Sequence, residues 1–167
     1  MAGFQSSINR YLAPGVEGDF AGHGIRASML AGEGAFVAGP DGVIVGRFAW
    51  IDGNDVYNAG TVPPVGFIHR EQQALITAYM GESSMLIQPY TQVTIMTQGD
   101  FFAKTATATT IGQKVFASTT DGSIATGAAG ATVAGYVETE FYVGSAVAAG
   151  ELVKISTWIY GVNGTGE

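Results

Sequence analysis

Cysteine is missing from this 167-residue chain, histidine occurs twice, and charged residues make up only 13% of it. The lack of cysteine removes disulfides, thiolate nucleophiles and the sulfur ligands of zinc from the possible chemistry. At this length roughly 70% of the unfolded surface can be buried, so neither a disulfide nor a metal is needed as a staple. Basic residues are few, 7 against 14 acidic ones, for a formal charge of −7. All three lysines, Lys104, Lys114 and Lys154, fall in the C-terminal two-fifths. A field of that sign repels a phosphate backbone, and without a basic cluster nucleic-acid binding is not expected. The N-terminus, Met1-Ala-Gly-Phe-Gln, lacks the charged start and leucine-rich core of a secretory signal. Long hydrophobic runs are missing too. The longest charge-free stretches, 83–99 and 122–137, carry Gln88, Pro89, Gln92 and Gln98 or are diluted by glycine and alanine, so no membrane span is expected.

Catalytic patterns are equally sparse. Nucleophilic catalysis needs a hydroxyl or thiol beside an oriented base, yet His23 lies in a glycine-rich turn and no Gly-x-Ser-x-Gly elbow occurs. The two histidines stand 46 positions apart, too far for a local metal motif, and Asp52-Gly-Asn-Asp55 reads as an ordinary polar turn rather than a calcium loop. Gly32-Glu-Gly34 lacks the glycine spacing of a phosphate loop. Asn163-Gly-Thr165 matches a glycosylation sequon by coincidence in the absence of a secretory signal. Glu138 and Glu140 are a carboxylate pair about 7 Å apart on one strand face, within the range of glycosidases, but such pairs normally come from different strands facing a cleft. No enzyme activity, cofactor or metal is expected.

What the chain does have is glycine, strands and apolar residues. Its 25 glycines are about 15% of the chain, twice the ordinary ~7%, and follow no three-residue period. A hydrophobic share of 47% and a mean hydropathy of +0.25 argue for a packed domain. Residues 1–24, with Pro14 and scattered glycines, read as an extended N-terminal arm, 25–160 as a single β domain and 161–167 as a flexible tail. Stretched out, the first 17 residues reach ~56 Å, against a radius of gyration near ~15 Å for the whole domain. The arm can therefore reach a neighbouring subunit, or wrap its own domain.

Within the domain, Val43–Trp50 is a β-branched and aromatic run between Pro40-Asp41-Gly42 and Asp52-Gly53-Asn54, and reads as one strand. Gln92–Thr97 reads as another, with Val93 and Ile95 on one face and Thr94 and Met96 on the other. The longest alternation runs from Val133 to Val143, placing Val137, Thr139, Phe141 and Val143 inward and Tyr136, Glu138, Glu140 and Tyr142 outward. Leu152–Trp158 puts Val153 and Ile155 inward, Lys154 and Ser156 outward; Val115–Ala117 and Ile124 add shorter pieces. Glu71–Tyr79 is ambiguous between helix and strand. The expected fold is all-β, an antiparallel β-sandwich or jelly-roll, or a small β-barrel, with the extended arm.

Several segments resemble a known family. Ala13-Pro-Gly-Val-Glu-Gly-Asp-Phe20, Val43–Trp50 and Val65-Gly-Phe-Ile-His-Arg-Glu-Gln-Gln-Ala-Leu-Ile-Thr77 resemble the structural cement proteins of tailed bacteriophages. Ile111-Gly-Gln-Lys-Val-Phe-Ala117, Asp121-Gly-Ser-Ile124, Gly135-Tyr-Val137 and Gly150-Glu-Leu-Val-Lys-Ile155 are similar to small β-barrel decoration proteins of capsids. The resemblance implies a non-enzymatic protein made in the host bacterial cytoplasm. It would bind the outer surface of the virion, bridge subunits of the major capsid protein and pair with itself. Candidate partner contacts are Phe4, Tyr11, Leu12, Val16 and Phe20 in the arm, and His69, Arg70, Glu71, Gln72 and Gln73, where charge and amide groups concentrate as a solvated loop or inter-subunit contact. The alternative is a carbohydrate- or receptor-binding β-module using Trp50, Tyr57, Tyr79, Tyr136, Tyr142 or Trp158 as a platform.

Overall fold

The computed structural model describes residues 15–71 and 85–158. Among them every regular element is a strand: β1 (Ala27–Ser28), β2 (Val37–Ala38), β3 (Val43–Ile44), β4 (Phe48–Asp52), β5 (Asp55–Tyr57), β6 (Gly66–Ile68), β7 (Leu86–Ile87), β8 (Ile95–Gln98), β9 (Asp100–Lys104), β10 (Lys114–Ser118), β11 (Ile124–Gly127), β12 (Tyr136–Val143) and β13 (Leu152–Ser156). A six-stranded sheet has the order β1-β8-β6-β4-β5-β2, a five-stranded sheet the order β11-β10-β12-β13-β9, and β3 pairs with β7 alone. All pairings are antiparallel except β2 with β5. The sheets stack as a sandwich. Neither closes into a barrel, so of the two expected architectures the sandwich is the one formed.

The six-stranded sheet is buried on both faces. Phe48 and Trp50 of β4, Phe67 of β6 and Met96 of β8 point to one side, where they meet Phe101, Val115, Ile124, Phe141, Val153 and Ile155 of the five-stranded sheet. Ala49 of β4, Ile68 of β6 and Ile95 of β8 point the other way, against Phe36, Val43, Val45 and Val93. A strand dry on both faces needs no polar alternation, which is why Val43–Trp50 and Val65–Ile68 are almost wholly apolar. Phe67 lies at the centre of an aromatic group, its ring centroid 5.0 Å from Phe101, 5.5 Å from Phe48 and 6.4 Å from Phe141.

The structure divides the expected Val43–Trp50 strand in two. Gly46 adopts φ +80, in the left-handed region, and donates its N–H to the Ile68 carbonyl at 2.8 Å. The chain changes layer there, so β3 joins β7 while β4 enters the six-stranded sheet. Asn58 spans the break: it accepts from the Ile44 N–H at 2.6 Å and donates to the Phe48 carbonyl at 3.0 Å. Gln92–Thr97 begins as a strand only at Ile95, because Val93 gives its N–H to Phe36 instead. The faces of β12 follow the expected alternation, with Thr139, Phe141 and Val143 buried and Glu140 exposed. Ser156 is buried rather than outward, its hydroxyl accepting the Trp158 N–H at 3.0 Å. The ambiguous stretch beyond Glu71, the tail 161–167 and arm residues 1–14 lie outside the described residues.

The sheets are also joined at their ends. Gly122, in the β10–β11 turn, accepts the Phe48 N–H at 2.9 Å; a Cβ at this position would lie 2.3 Å from the Phe48 oxygen. Beside it the Arg47 guanidinium pairs with Asp121 at 2.8 Å. Burial would raise the Asp121 pKa, but hydrogen bonds from Ser118 and Ser123, together with Arg47, hold it below its ordinary value.

Replacing Phe67 by alanine empties the centre of the aromatic group and is expected to cost about 3–5 kcal/mol in urea unfolding. Leu30, 91% exposed, serves as the control: Leu30→Ser should stay within about 0.5 kcal/mol.

Candidate functional site

The arm and the His69–Glu71 segment, separate in sequence, meet at one place. Residues 16–19 form a turn that is closed twice, by Asp19 N–H to the Val16 carbonyl at 3.0 Å and by Val16 N–H to Asp19 Oδ2 at 3.0 Å. The chain then lies along the free edge of β9. Gly18 donates to the Phe102 carbonyl at 2.8 Å, Phe102 donates to Asp19 at 2.8 Å, and Ala21 donates to Asp100 at 2.9 Å. This short ladder satisfies an edge that would otherwise offer unpaired backbone groups. Of the two readings of the arm, residues 15–24 follow the one in which it packs on its own domain.

Side chains fix the arm to the opposite sheet. The Arg70 Nε donates to Asp19 Oδ1 at 2.6 Å, and the Arg70 N–H donates to the Gly18 carbonyl at 2.8 Å. Phe20 packs against His69, ring centroids 4.9 Å apart, and against Phe101 at 5.4 Å. The Arg26 guanidinium stands 4.0 Å above the Phe20 ring, a cation–π contact. Asp19, Phe20, His69 and Arg70 thus form a root that clamps the arm between both sheets.

His69 is 7% exposed and its Nδ1 is buried without a hydrogen-bond partner. Desolvation lowers its pKa below 6.5; Glu71 opposes this and Arg26 reinforces it. The expectation of a solvated charged loop is therefore corrected at two positions. His69 continues the buried run of β6 beneath the arm, and Arg70 is committed to an internal ion pair. Glu71 is exposed, as is Val16 at 43%. Phe4, Tyr11, Leu12, Gln72 and Gln73 lie outside the described residues.

The remaining sequence candidates are scattered. Glu138 accepts the Gly130 N–H at 2.7 Å and Glu140 is exposed on the same strand, β12, at the middle of the five-stranded sheet. Among the described residues no group of three metal-ligating side chains converges. Of the aromatics considered for a sugar platform, Trp50 is a core residue whose Nε1 donates to the Val62 carbonyl at 2.6 Å. Tyr79 lies outside the described residues, and Trp158 is exposed.

Beside this β scaffold and its clamped arm stands a likeness to known proteins. The family of the XM1 gp53 minor capsid protein matches residues 4–157. This chain belongs to that family. In three dimensions it is similar to a chain from the solved capsid of Myoviridae Phage XM1, with a TM-score of 0.63 at 19% sequence identity, over 94% of this chain and 98% of that one. Among curated proteins none matches. A member of the XM1 gp53 minor capsid family is a structural protein associated with a phage capsid.

Two outcomes test the root. A double-mutant cycle with Asp19→Ala and Arg70→Ala should give a coupling of about 0.5–1 kcal/mol, the range for a pair still partly in contact with water. Protonation of His69 supplies the second. The unfolded chain takes up a proton near pH 6.5 that the folded protein resists. Stability therefore falls as pH drops through that value, and levels off once the folded form also protonates. His69→Gln should flatten urea-unfolding stability between pH 7.5 and 5.5 relative to the parent.

Proposed function

We propose that this protein is a non-enzymatic cement protein on the outer surface of a tailed-phage head, where it bridges adjacent major capsid protein subunits and meets copies of itself. The observation that carries this reading is the clamped arm root in a chain of a minor capsid family. A tether transmits force only if its base is fixed, and here the base is held by backbone pairing to β9 and by an ion pair to the segment after β6. Fully extended, the 14 residues before Gly15 span ~46 Å, enough to cross from one subunit to the next.

The energetics suit a shell. A modest contact repeated over a symmetric surface becomes strong collectively, because each attached copy raises the effective concentration of its remaining contacts. Low charge leaves apolar and backbone surface for such contacts, and an extended segment is suited to adding a strand to a neighbouring sheet. The carbohydrate-binding alternative has less support, since Trp50, one of the rings considered for it, is spent in the core.

Deleting residues 1–14 is expected to leave the thermal unfolding of the free protein unchanged while sharply lowering its occupancy on heads that lack it, read by co-sedimentation. Unchanged occupancy would reject the arm as the bridging element.

A further inference from the structure

The only two ion pairs formed among the described residues use Arg47 and Arg70. Arg26 and Lys154, by contrast, are both exposed and have no carboxylate partner there. They come together beside the arm root. A cleft of about 450 Å3 is lined by Phe20, His23, Arg26, Phe102 and Lys154. Each cation stands over an aromatic ring, Arg26 at 4.0 Å from the Phe20 centroid and Lys154 at 5.8 Å from that of Phe102. The rings limit where the charged groups can lie and leave their remaining N–H donors to the opening. In a chain of net charge −7, two cations thus stand together, beside the Asp100 carboxylate that adjoins Gly22 of the same cleft.

The opposite sign gathers elsewhere. The β4–β5 hairpin turns through Asp52-Gly53-Asn54-Asp55, with Asp52 paired across from Asp55 and residues 52–54 exposed. Asp41 belongs to the same field: desolvation, and then the charges of Asp55, Asp52 and Asp41, raise the pKa of Tyr57. The hairpin tip cannot fold back to the cleft of its own chain. Phe48 pairs with Phe67, so Arg47 lies level with the His69 end of β6, and Asp52 is five residues further along β4 in the other direction. That is about 17 Å of strand, leading away from the root on which Phe20 and His69 sit.

We propose that the Arg26–Lys154 cleft receives the Asp52–Asp55 hairpin tip of a second copy of this chain, joining copies head to tail. The contact is heterologous: one surface meets a different surface, so a joined pair keeps one free tip and one free cleft for further neighbours. A turn with two carboxylates matches in charge an open cleft with two cations, each held over an aromatic ring. The proposal rests on the reading of this protein as one that meets its own copies on a shell, and it specifies the surfaces.

The test uses the free, full-length protein, so that its result is independent of head occupancy. An equal mixture of 14N- and 15N-labelled protein is treated with a zero-length carbodiimide cross-linker and digested. The expected product joins Lys154 of one isotope to Asp52 or Asp55 of the other, and it diminishes in 0.5 M salt as screening shortens the reach of the charges. Two charge-reversed proteins, Arg26→Glu with Lys154→Glu and Asp52→Lys with Asp55→Lys, should each lose association in sedimentation velocity, and mixing them should restore it. Arg26, Lys154 and Asp52 are exposed and Asp55 is half-buried, so circular dichroism checks that both proteins fold, and Asp52→Lys alone is the milder substitute for the second. Cross-links confined to one isotope, a parent protein that stays monomeric at millimolar concentration, or a mixture that associates no better than its components would overturn the proposal.

Discussion

The fold depends on the burial of one sheet from both sides. Phe48, Trp50 and Phe67 face the five-stranded sheet, whereas Ala49, Ile68 and Ile95 face the β3–β7 layer. Fully burying a side chain of this size stabilises by about 1.5–3 kcal/mol, and adjacent rings such as Phe67 and Phe101 add to that. The other features follow from this layering. The chain must leave one layer for another within a few residues, which fixes Gly46 in a left-handed turn, and the sandwich needs closing at its ends, which the Arg47–Asp121 pair and the Phe48–Gly122 hydrogen bond provide.

Because the five-stranded sheet is open, the β9 edge has to be dealt with, and the arm root does so. Backbone pairing of Gly18, Asp19 and Ala21 to this strand covers the edge, while Asp19 and Phe20 reach across to Arg70 and His69 of the neighbouring layer. Edge protection and anchorage of the arm are thus one arrangement. The neutral form of His69 is favoured there because a charged imidazole would be desolvated near Arg26, so packing at the root and its response to pH have a common origin.

Periodic pattern made some of this legible in the amino-acid order. The alternation of β12 could be read directly, since that strand has one wet face, and the all-β class followed from the spacing of glycines and short apolar runs. Val43–Trp50 was misleading for a physical reason: an apolar run buried on both faces contains no mark of where it changes layer, and only the left-handed conformation at Gly46 reveals it. Both halves of the arm root stood out, Phe20 as an arm residue and His69–Arg70 as a cluster. Their meeting did not, because the Asp19–Arg70 pair spans 51 positions and no local signal encodes such a contact. Arg26 and Lys154 were invisible as a pair for the same reason. Ser156 departed from its alternation because a local hydrogen bond to Trp158 replaced solvent.

A clamped, low-charge sandwich in a minor capsid family is suited to strengthening a shell by occupying it. The most direct measurement of that claim is the thermal melting of phage heads assembled without this protein, before and after purified protein is added back. Saturable binding at a fixed ratio to the major capsid protein, with a rise in melting temperature that tracks occupancy, is the predicted result. Heads that melt at the same temperature at every added concentration, with no saturable binding, would contradict it.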